Sequence, residues 1–342
     1  MEHEVDLKKY ELRTDLIIEN KDFNGINNTE IIEDDIKVTE TNILDDNNIL
    51  NKKKGKYITI EFIDITDSYN YKKVLEIIKK ELYKLLKIKK NDFGLIIGLG
   101  NKSSTPDSIG PLTIKDILVT NHIYMYDELD DGFRRVAAIA PGVTGENGIE
   151  TSEYIKGIVD TIRPDFVIII DALASRSIER LNRTIQMTDT GISPGSGVGN
   201  SRKEISEDTL GIPVYAIGVP TVVDAVSVVA DTLEFMNKHY AFSKEFVKKP
   251  ISKLVNIKNI NYLNKKFSID KEDRIDLLGL VGSLDEIEIR ELISEVLTPI
   301  GYNLMVTPKE IDFIILKLSK ILSDAINYVL HDNYKEKSLN DL

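Results

Sequence analysis

Apolar positions along the chain follow two alternating periods. Tyr57-Ile-Thr-Ile-Glu-Phe62 alternates apolar and polar residues, which predicts a half-buried strand. Between Lys72 and Ile88, Val74, Leu75, Ile78, Leu82, Leu85 and Leu86 fall on one face of an amphipathic helix. A regular succession then begins. The pattern predicts strands at 95–98, 136–140, 166–170 and 213–219, with a further short strand at 184–187. Helices are predicted near 109–119, at 152–162, around 174–181 and from 222 to 240. Repeated strand–helix units predict an α/β fold, a mostly parallel twisted sheet flanked by helices.

The flanks read differently. Residues 1–55 are polar and rich in Asn, Asp and Glu, and read as an extension rather than core. The core is expected over 56–242. Residues 243–273, rich in Lys and Asn, read as a connecting excursion, and 274–342 as a helical C-terminal part with helices near 274–282 and 286–298. The last helix is expected to start at Thr307-Pro308-Lys309-Glu310, an N-cap, a proline in the first turn and an acid three residues after the cap. No internal repeat is present.

Composition narrows the function. With 342 residues, 42% hydrophobic and 29% charged, the chain reads as an ordinary globular protein. Acids outnumber bases 56 to 44, a net charge of −12, which argues against direct nucleic-acid binding. Cysteine is absent, which excludes disulfides, thiolate catalysis and cysteine-ligated metals and suits a reducing, cytoplasmic setting. The N-terminus has no apolar signal region, and no run reaches the ~18 apolar residues of a membrane span. The four histidines, His3, His122, His239 and His331, lie outside any motif-like cluster, and no Gly-x-Ser-x-Gly elbow occurs, so a serine triad is not expected.

Two acids stand out. Asp171 follows Phe166-Val-Ile-Ile-Ile170, an apolar run that predicts a strand buried on both faces. Open α/β sheets bind ligands at the carboxyl ends of such strands. Asp107 lies in a long loop after another strand, Leu95–Gly98. A buried carboxylate must be paired, protonated or used. Arg176 and Arg180 offer pairing, and Asp107 or Ser108 can cap the next helix. Glycine-rich turns follow at Pro141–Gly148 and Gly195–Gly199. The first, through Gly142, Thr144 and Gly145, is a candidate oxyanion or substrate loop; the second matches a phosphate loop poorly. Asp224, three residues after Thr221, reads as the acid of a capping box.

Read together, several segments resemble the germination proteases of endospore-forming bacteria. They include Arg13-Thr-Asp-Leu-Ile-Ile-Glu19, Gly98-Leu-Gly-Asn101, Thr105-Pro-Asp-Ser-Ile-Gly-Pro111, Ala140-Pro-Gly-Val143 and Gly148-Ile-Glu-Thr151. They continue in Asp171-Ala-Leu-Ala174, Arg176-Ser-Ile-Glu-Arg180, Asp189-Thr-Gly-Ile192, Pro194–Asn200, Gly211-Ile-Pro-Val214, Gly218–Val226 and Asn303–Glu310. The resemblance runs in collinear order from the N-terminus to about residue 330 and weakens in 20–55 and 243–273.

The resemblance implies an aspartic-type endopeptidase that degrades small acid-soluble spore proteins at germination. Its two essential aspartates fall on Asp107 and Asp171. It further implies a fold similar to hydrogenase maturation endopeptidases (phosphorylase/hydrolase-like), assembly as a homotetramer, location in the cytoplasm of the forespore or spore core, and synthesis as a zymogen. Asp15-Leu16 is an acidic–aliphatic junction of the kind that the family cuts, which makes residues 1–15 the expected pro-segment and 16–55 the N-terminal extension. No cofactor and no metal are expected, since no histidine lies in the motifs. Two other readings stay open: a non-catalytic small-ligand or phosphate-binding α/β module, and a metal-assisted maturation peptidase.

Overall fold

The computed structural model describes residues 14–20, 28–48, 52–124, 131–195, 202–247, 269–297 and 304–334. In chain order these form β1 (Asn28–Glu33), β2 (Ile36–Ile43), β3 (Gly55–Glu61), α1 (Ser68–Leu85), β4 (Gly94–Gly98), α2 (Ile109–Lys115), α3 (Asn121–Tyr124), β5 (Val136–Ile139), α4 (Thr144–Asn147) and α5 (Thr151–Ile162). They continue with β6 (Phe166–Ser175), β7 (Thr184–Thr188), α6 (Glu207–Leu210), β8 (Val214–Asp224), α7 (Ala225–Val247), α8 (Lys271–Leu278), α9 (Glu286–Leu297), β9 (Met305–Val306) and α10 (Ile311–Leu330). The chain divides into two compact units, one of Arg13–Val222 with Thr307–Leu342, the other taking in Val223–Val306.

The first unit is a mixed α/β layer structure. Its sheet runs β1-β2-β3-β7-β8-β6-β4-β5. β4 pairs parallel with both β5 and β6, the parallel centre that the strand–helix repeat predicts. β1, β2, β3, β7 and β8 extend it by antiparallel pairing. Successive strand residues point to opposite faces. Ile96, Ile168 and Ile170 pack with side chains of α1, α2 and α10. Leu95, Ile97, Val167 and Ile169 pack with Ile155 and Val159 of α5. Burial on both sides is why these strands read as unbroken apolar runs.

Four expectations about elements are corrected. Residues 28–43 are not an irregular extension: they form β1 and β2, and Ile36, Val38 and Ile43 of β2 are buried. Their alternation was hidden because β1 carries only exposed positions and the connecting residues are polar. The strand at 166–170 runs on to Ser175 as β6, and no helix follows at 174; Ile178–Arg180 is a single 3₁₀ turn. The segment 220–224 continues β8, so α7 starts only at Ala225. α10 starts at Ile311, not at Thr307, because the Thr307 hydroxyl donates to the Thr221 carbonyl at 2.9 Å instead of capping a helix. The expected excursion lies mostly outside the described residues, as do 335–342 and residues 1–13 of the expected pro-segment.

In the second unit β9 pairs antiparallel with Val223 and Asp224. The Asp224 carboxylate accepts from the Ser227 N–H and hydroxyl, both at 3.1 Å. Asp224 therefore caps α7 itself, whereas Thr221 lies inside β8 and cannot share a capping box with it. The Lys244 ammonium donates to the Asp273 carboxylate, tying α7 to α8.

At the C-terminal end of α10, in the first unit, His331 is fully buried. Its Nδ1 accepts from the Arg134 N–H at 3.1 Å, and its Nε2 lies 3.2 Å from the Leu118 carbonyl. Desolvation holds its pKa down at about 4. A depressed histidine stabilises the fold fully above its unfolded value, roughly 6.5, and the contribution is lost as pH falls toward 4. The melting temperature should therefore drop between pH 6.5 and 4. His331→Gln should lower it at pH 7 and flatten this dependence, which calorimetry across that range will read; an unchanged acid slope would refute it.

Candidate active site

β4 ends at Gly98, and the chain folds back over its end through backbone contacts that only glycine permits. A Cβ on Gly98 would lie 2.3 Å from the Gly110 carbonyl oxygen, and one on Gly110 would lie 2.2 Å from that of Leu99. Gly100 has φ +110°, and a Cβ there would lie 2.0 Å from the Asp107 carbonyl oxygen. These close approaches bring the turn Thr105–Asp107 onto the strand end. The Leu99 N–H donates to the Ile170 carbonyl at 2.8 Å, so the loop is also tied to β6 one residue before Asp171. The Asn101 N–H donates to the Asp107 carboxylate at 2.8 Å and fixes its orientation.

Asp171 stands in β6 just past the parallel pairing with β4, whose last register is Gly98 opposite Ile170. It shares its face with Val167 and Ile169. Its carboxyl is 6% exposed at the level of the residue and accepts from the Ala172 N–H at 2.9 Å. Burial raises its pKa well above the usual carboxylate range, and the charges of Asp107 and Asp15 add to the rise. Burial raises Asp107 too, with Glu146 adding and the Asn101 N–H and Arg202 opposing. The two acids therefore lie within each other's field, and the buried one holds its proton longer. One ionised and one protonated carboxyl side by side can remove a proton from water and donate one to a leaving group.

The remaining candidate residues are placed as follows. Gly142 has φ +74°, Thr144 begins α4, and Gly145 is exposed in it. The Thr144 hydroxyl accepts from Arg202 Nη1 at 2.7 Å. Asp15 lies against β6: its N–H donates to the Ala174 carbonyl at 3.0 Å, and its carboxylate accepts from the Ala174 N–H at 2.9 Å. Leu16 is 1% exposed. Residues 196–201, and with them most of the Gly195–Gly199 loop, lie outside the described residues. Of the two arginines open as partners of Asp171, Arg180 bonds Glu19 and Glu61 instead, at 3.3 and 2.9 Å. The Arg176 N–H donates to Glu19 at 2.6 Å.

Sequence reasoning missed Arg202, the cation in the field of both aspartates, and the role of Asp15 as a third carboxylate beside Asp171. It also missed Lys52 and Gln186, which flank Asp15. Arg202, Lys52 and Gln186 carry no local pattern that would single them out. Among the described residues no group of three or more His, Cys, Asp or Glu side chains is arranged to hold a metal ion.

Comparison with known proteins bears on this arrangement. The family model described as germination protease matches residues 3–341. The germination protease of Geobacillus sp. is 44% identical over 362 aligned positions, covering 97% of this chain and 97% of that protein. That of Priestia megaterium is 43% identical over 364 positions, covering 99% and 98%. That of Bacillus velezensis is 44% identical, covering 98% and 97%. Among solved structures, the nickel–iron hydrogenase maturation protease HycI of Thermococcus kodakarensis matches 41% of this chain and 80% of that chain, with 17% identity and a TM-score of 0.27. That likeness is too slight to carry an argument.

Because Asp107 is one of the charges that hold the Asp171 carboxyl protonated, its removal has a definite sign. Asp107→Asn should lower the Asp171 pKa, while burial keeps it above 3.8. Carboxyl-carbon NMR titration of the full chain reads this directly; an Asp171 pKa that stays put would show that the two groups do not interact.

Proposed function

The chain belongs to the germination protease family and is a peptidase, and on that premise we propose that it cuts peptide bonds with Asp107 and Asp171 as its acid–base pair. One observation supports this reading: Asp171 is buried in β6 next to the end of β4, and the charge of Asp107 in the loop after β4 adds to the rise of its pKa. Asp107 keeps an N–H donor and the field of Arg202, both of which favour its ionised form. It serves as the base that takes a proton from water. Asp171, protonated, gives its proton to the departing amine. The mechanism uses no cofactor and no metal.

The substrates in this reading are small acid-soluble spore proteins, and the place of action is the cytoplasm of the forespore or spore core. The resemblance set out above supports both, and the relatives' names support a protease of germination. The acidic balance of the chain, −12, suits an enzyme that acts on proteins and leaves nucleic acid alone. The same resemblance supports a homotetramer. It also supports a zymogen activated by a cut between Asp15 and Leu16, which places the pro-segment at 1–15. Gly142, Thr144 and Gly145 remain the candidate substrate loop, with Thr144 held by Arg202.

Asp107→Asn and Asp171→Asn should each lower turnover of a small acid-soluble protein by at least about 100-fold, the scale of general acid–base catalysis. Melting temperatures should stay near wild type. Full turnover in either variant would sink the assignment. The wild-type rate should follow a bell in pH. It falls on the acid side as Asp107 takes a proton and on the alkaline side as Asp171 loses one, with both limbs belonging to the pair.

The zymogen reading has its own check. Mass spectrometry of the full chain after activation should find a form beginning at Leu16. A mature form that retains Met1, or one that begins inside β2, contradicts the assigned boundary.

A further inference from the structure

The Asp15–Leu16 bond is held in an unusual way. The carbonyl of Asp15 faces two side-chain donors, Lys52 Nζ at 3.4 Å and Gln186 Nε2 at 3.2 Å. Gln186 lies on β7, 9% exposed, and its Oε1 accepts from the Ile17 N–H at 2.8 Å. That contact fixes which end of the amide points at Asp15. The two ends of Gln186 thus bracket Leu16, and the bond before Leu16 cannot rotate away. Thr14 adds a further hold, its hydroxyl accepting from the Leu16 N–H at 3.1 Å.

Lys52 is the odd member. Burial pushes its ammonium down from the ordinary lysine value, with the Asp15 charge as the opposing influence. Among the described residues it makes no ion pair within 4.0 Å; its side-chain hydrogen bond goes to a backbone carbonyl. A neutral carbonyl needs only one neutral donor, and a buried ammonium costs several kcal/mol of desolvation. The cation is mismatched to the carbonyl as it stands. It would match an oxygen that becomes negative.

We propose that Lys52 and Gln186 are oxyanion donors for cleavage of the Asp15–Leu16 bond within the same chain. This inference rests on the reading above that this bond is cut and that the two aspartates supply the acid and base. Water adds to the Asp15 carbonyl carbon, its proton passing to the ionised carboxylate. The carbonyl electron pair moves onto oxygen, where the ammonium and the amide N–H meet the new charge. The intermediate then collapses: the C=O re-forms, the bond to the Leu16 nitrogen breaks, and that nitrogen takes the proton of the second carboxyl. The products are a carboxylate at Asp15 and an amine at Leu16. The donors bind the intermediate more strongly than the starting carbonyl, so they accelerate the step. The donors and Asp15 line a cavity of about 290 Å³ together with Thr188, Thr190 and Gly218, and the Asp15 charge lies in the field of Asp171.

The test follows self-cleavage of the purified full chain by intact mass across pH, with melting temperatures recorded for each variant. Wild type should cut between Asp15 and Leu16 with first-order kinetics independent of protein concentration. Lys52→Met and Gln186→Met should slow that rate about 10²–10³-fold, the cost of losing one oxyanion donor, without moving the pH limbs. Lys52→Arg keeps a cation and should retain far more of the rate than Lys52→Met. If both donors merely anchor the segment, Lys52→Met will cut at the wild-type rate or faster, and the proposal falls. It also falls if Lys52→Arg is as slow as Lys52→Met while both melt like wild type. A wild-type chain that is not cut there, or an Asp171→Asn chain that still is, overturns the reading of the site and this inference with it; an intact wild-type reaction with an unaffected Lys52→Met overturns this inference alone.

Discussion

A carboxyl group cannot ionise freely among branched aliphatic side chains with a second carboxylate beside it. That constraint organises the site. Asp171 sits one residue beyond Ile170, in a strand buried at every position but Ala172. Its burial makes the charged form expensive, and the charges of Asp107 and Asp15 raise the cost further. The pair must therefore share its protons unequally. Asp107 has the N–H of Asn101 and the field of Arg202 on the side of ionisation, and Asp171 has the Ala172 N–H and the field of Arg202. The proposed division of labour rests on these surroundings, since the two side chains are chemically alike.

Holding two carboxyls in one another's field requires a backbone that cannot relax. The loop after β4 achieves this by packing backbone on backbone. Gly98 and Gly110 approach where any side chain would collide, and Gly100 takes a left-handed conformation directly against the Asp107 carbonyl. The Leu99 N–H bond to Ile170 adds a direct tie between the two acid-bearing segments. Repulsion between the carboxyls is thus opposed by the packed sheet rather than by a cation in contact with them. Arg180, one of the two arginines that the sequence offers as a partner for Asp171, is engaged by Glu19 and Glu61.

Much of this architecture was readable in the chain. The parallel centre was legible because β4 and β6 are buried on both faces and therefore carry unbroken apolar runs. α1 and α5 were legible from one-sided apolar periodicity, and the Asp67 side chain that starts α1 by accepting from Tyr69 and Asn70 N–H groups is an ordinary cap. β1 and β2 were not legible. β1 exposes all its residues, and β2, Ile-Lys-Val-Thr-Glu-Thr-Asn-Ile, lies in a stretch rich in Asn, Asp and Glu, so the surrounding composition drowned a period of two. The two start signals at Thr221 and Thr307 failed for one reason. Each threonine found a different environment, inside β8 or bonded to it, so local capping chemistry lost to sheet formation.

The site was legible to the extent that its groups follow strands. Asp171 comes directly after an apolar run and Asp107 in the loop that follows another, and parallel pairing of β4 with β6 sets the ends of those runs side by side. Lys52, Gln186 and Arg202 belong to another kind of residue. Gln186 occupies an ordinary strand position, and only the antiparallel register of β7 with β3 and β8 decides that it faces Asp15. Lys52 lies 37 positions from Asp15, in a lysine run whose other members point elsewhere: Lys53 bonds Glu204 and Asp208. A lysine run reads as a solvated surface, and for most of its members that is correct. What distinguishes Lys52 is that folding half-buries it against a carbonyl with, among the described residues, no carboxylate in contact, a property that exists only once β3, β7 and the segment around Asp15 have been brought together. Residues whose chemistry comes from their own neighbours in sequence can be found by reading; residues whose chemistry comes from being left without a counter-charge cannot.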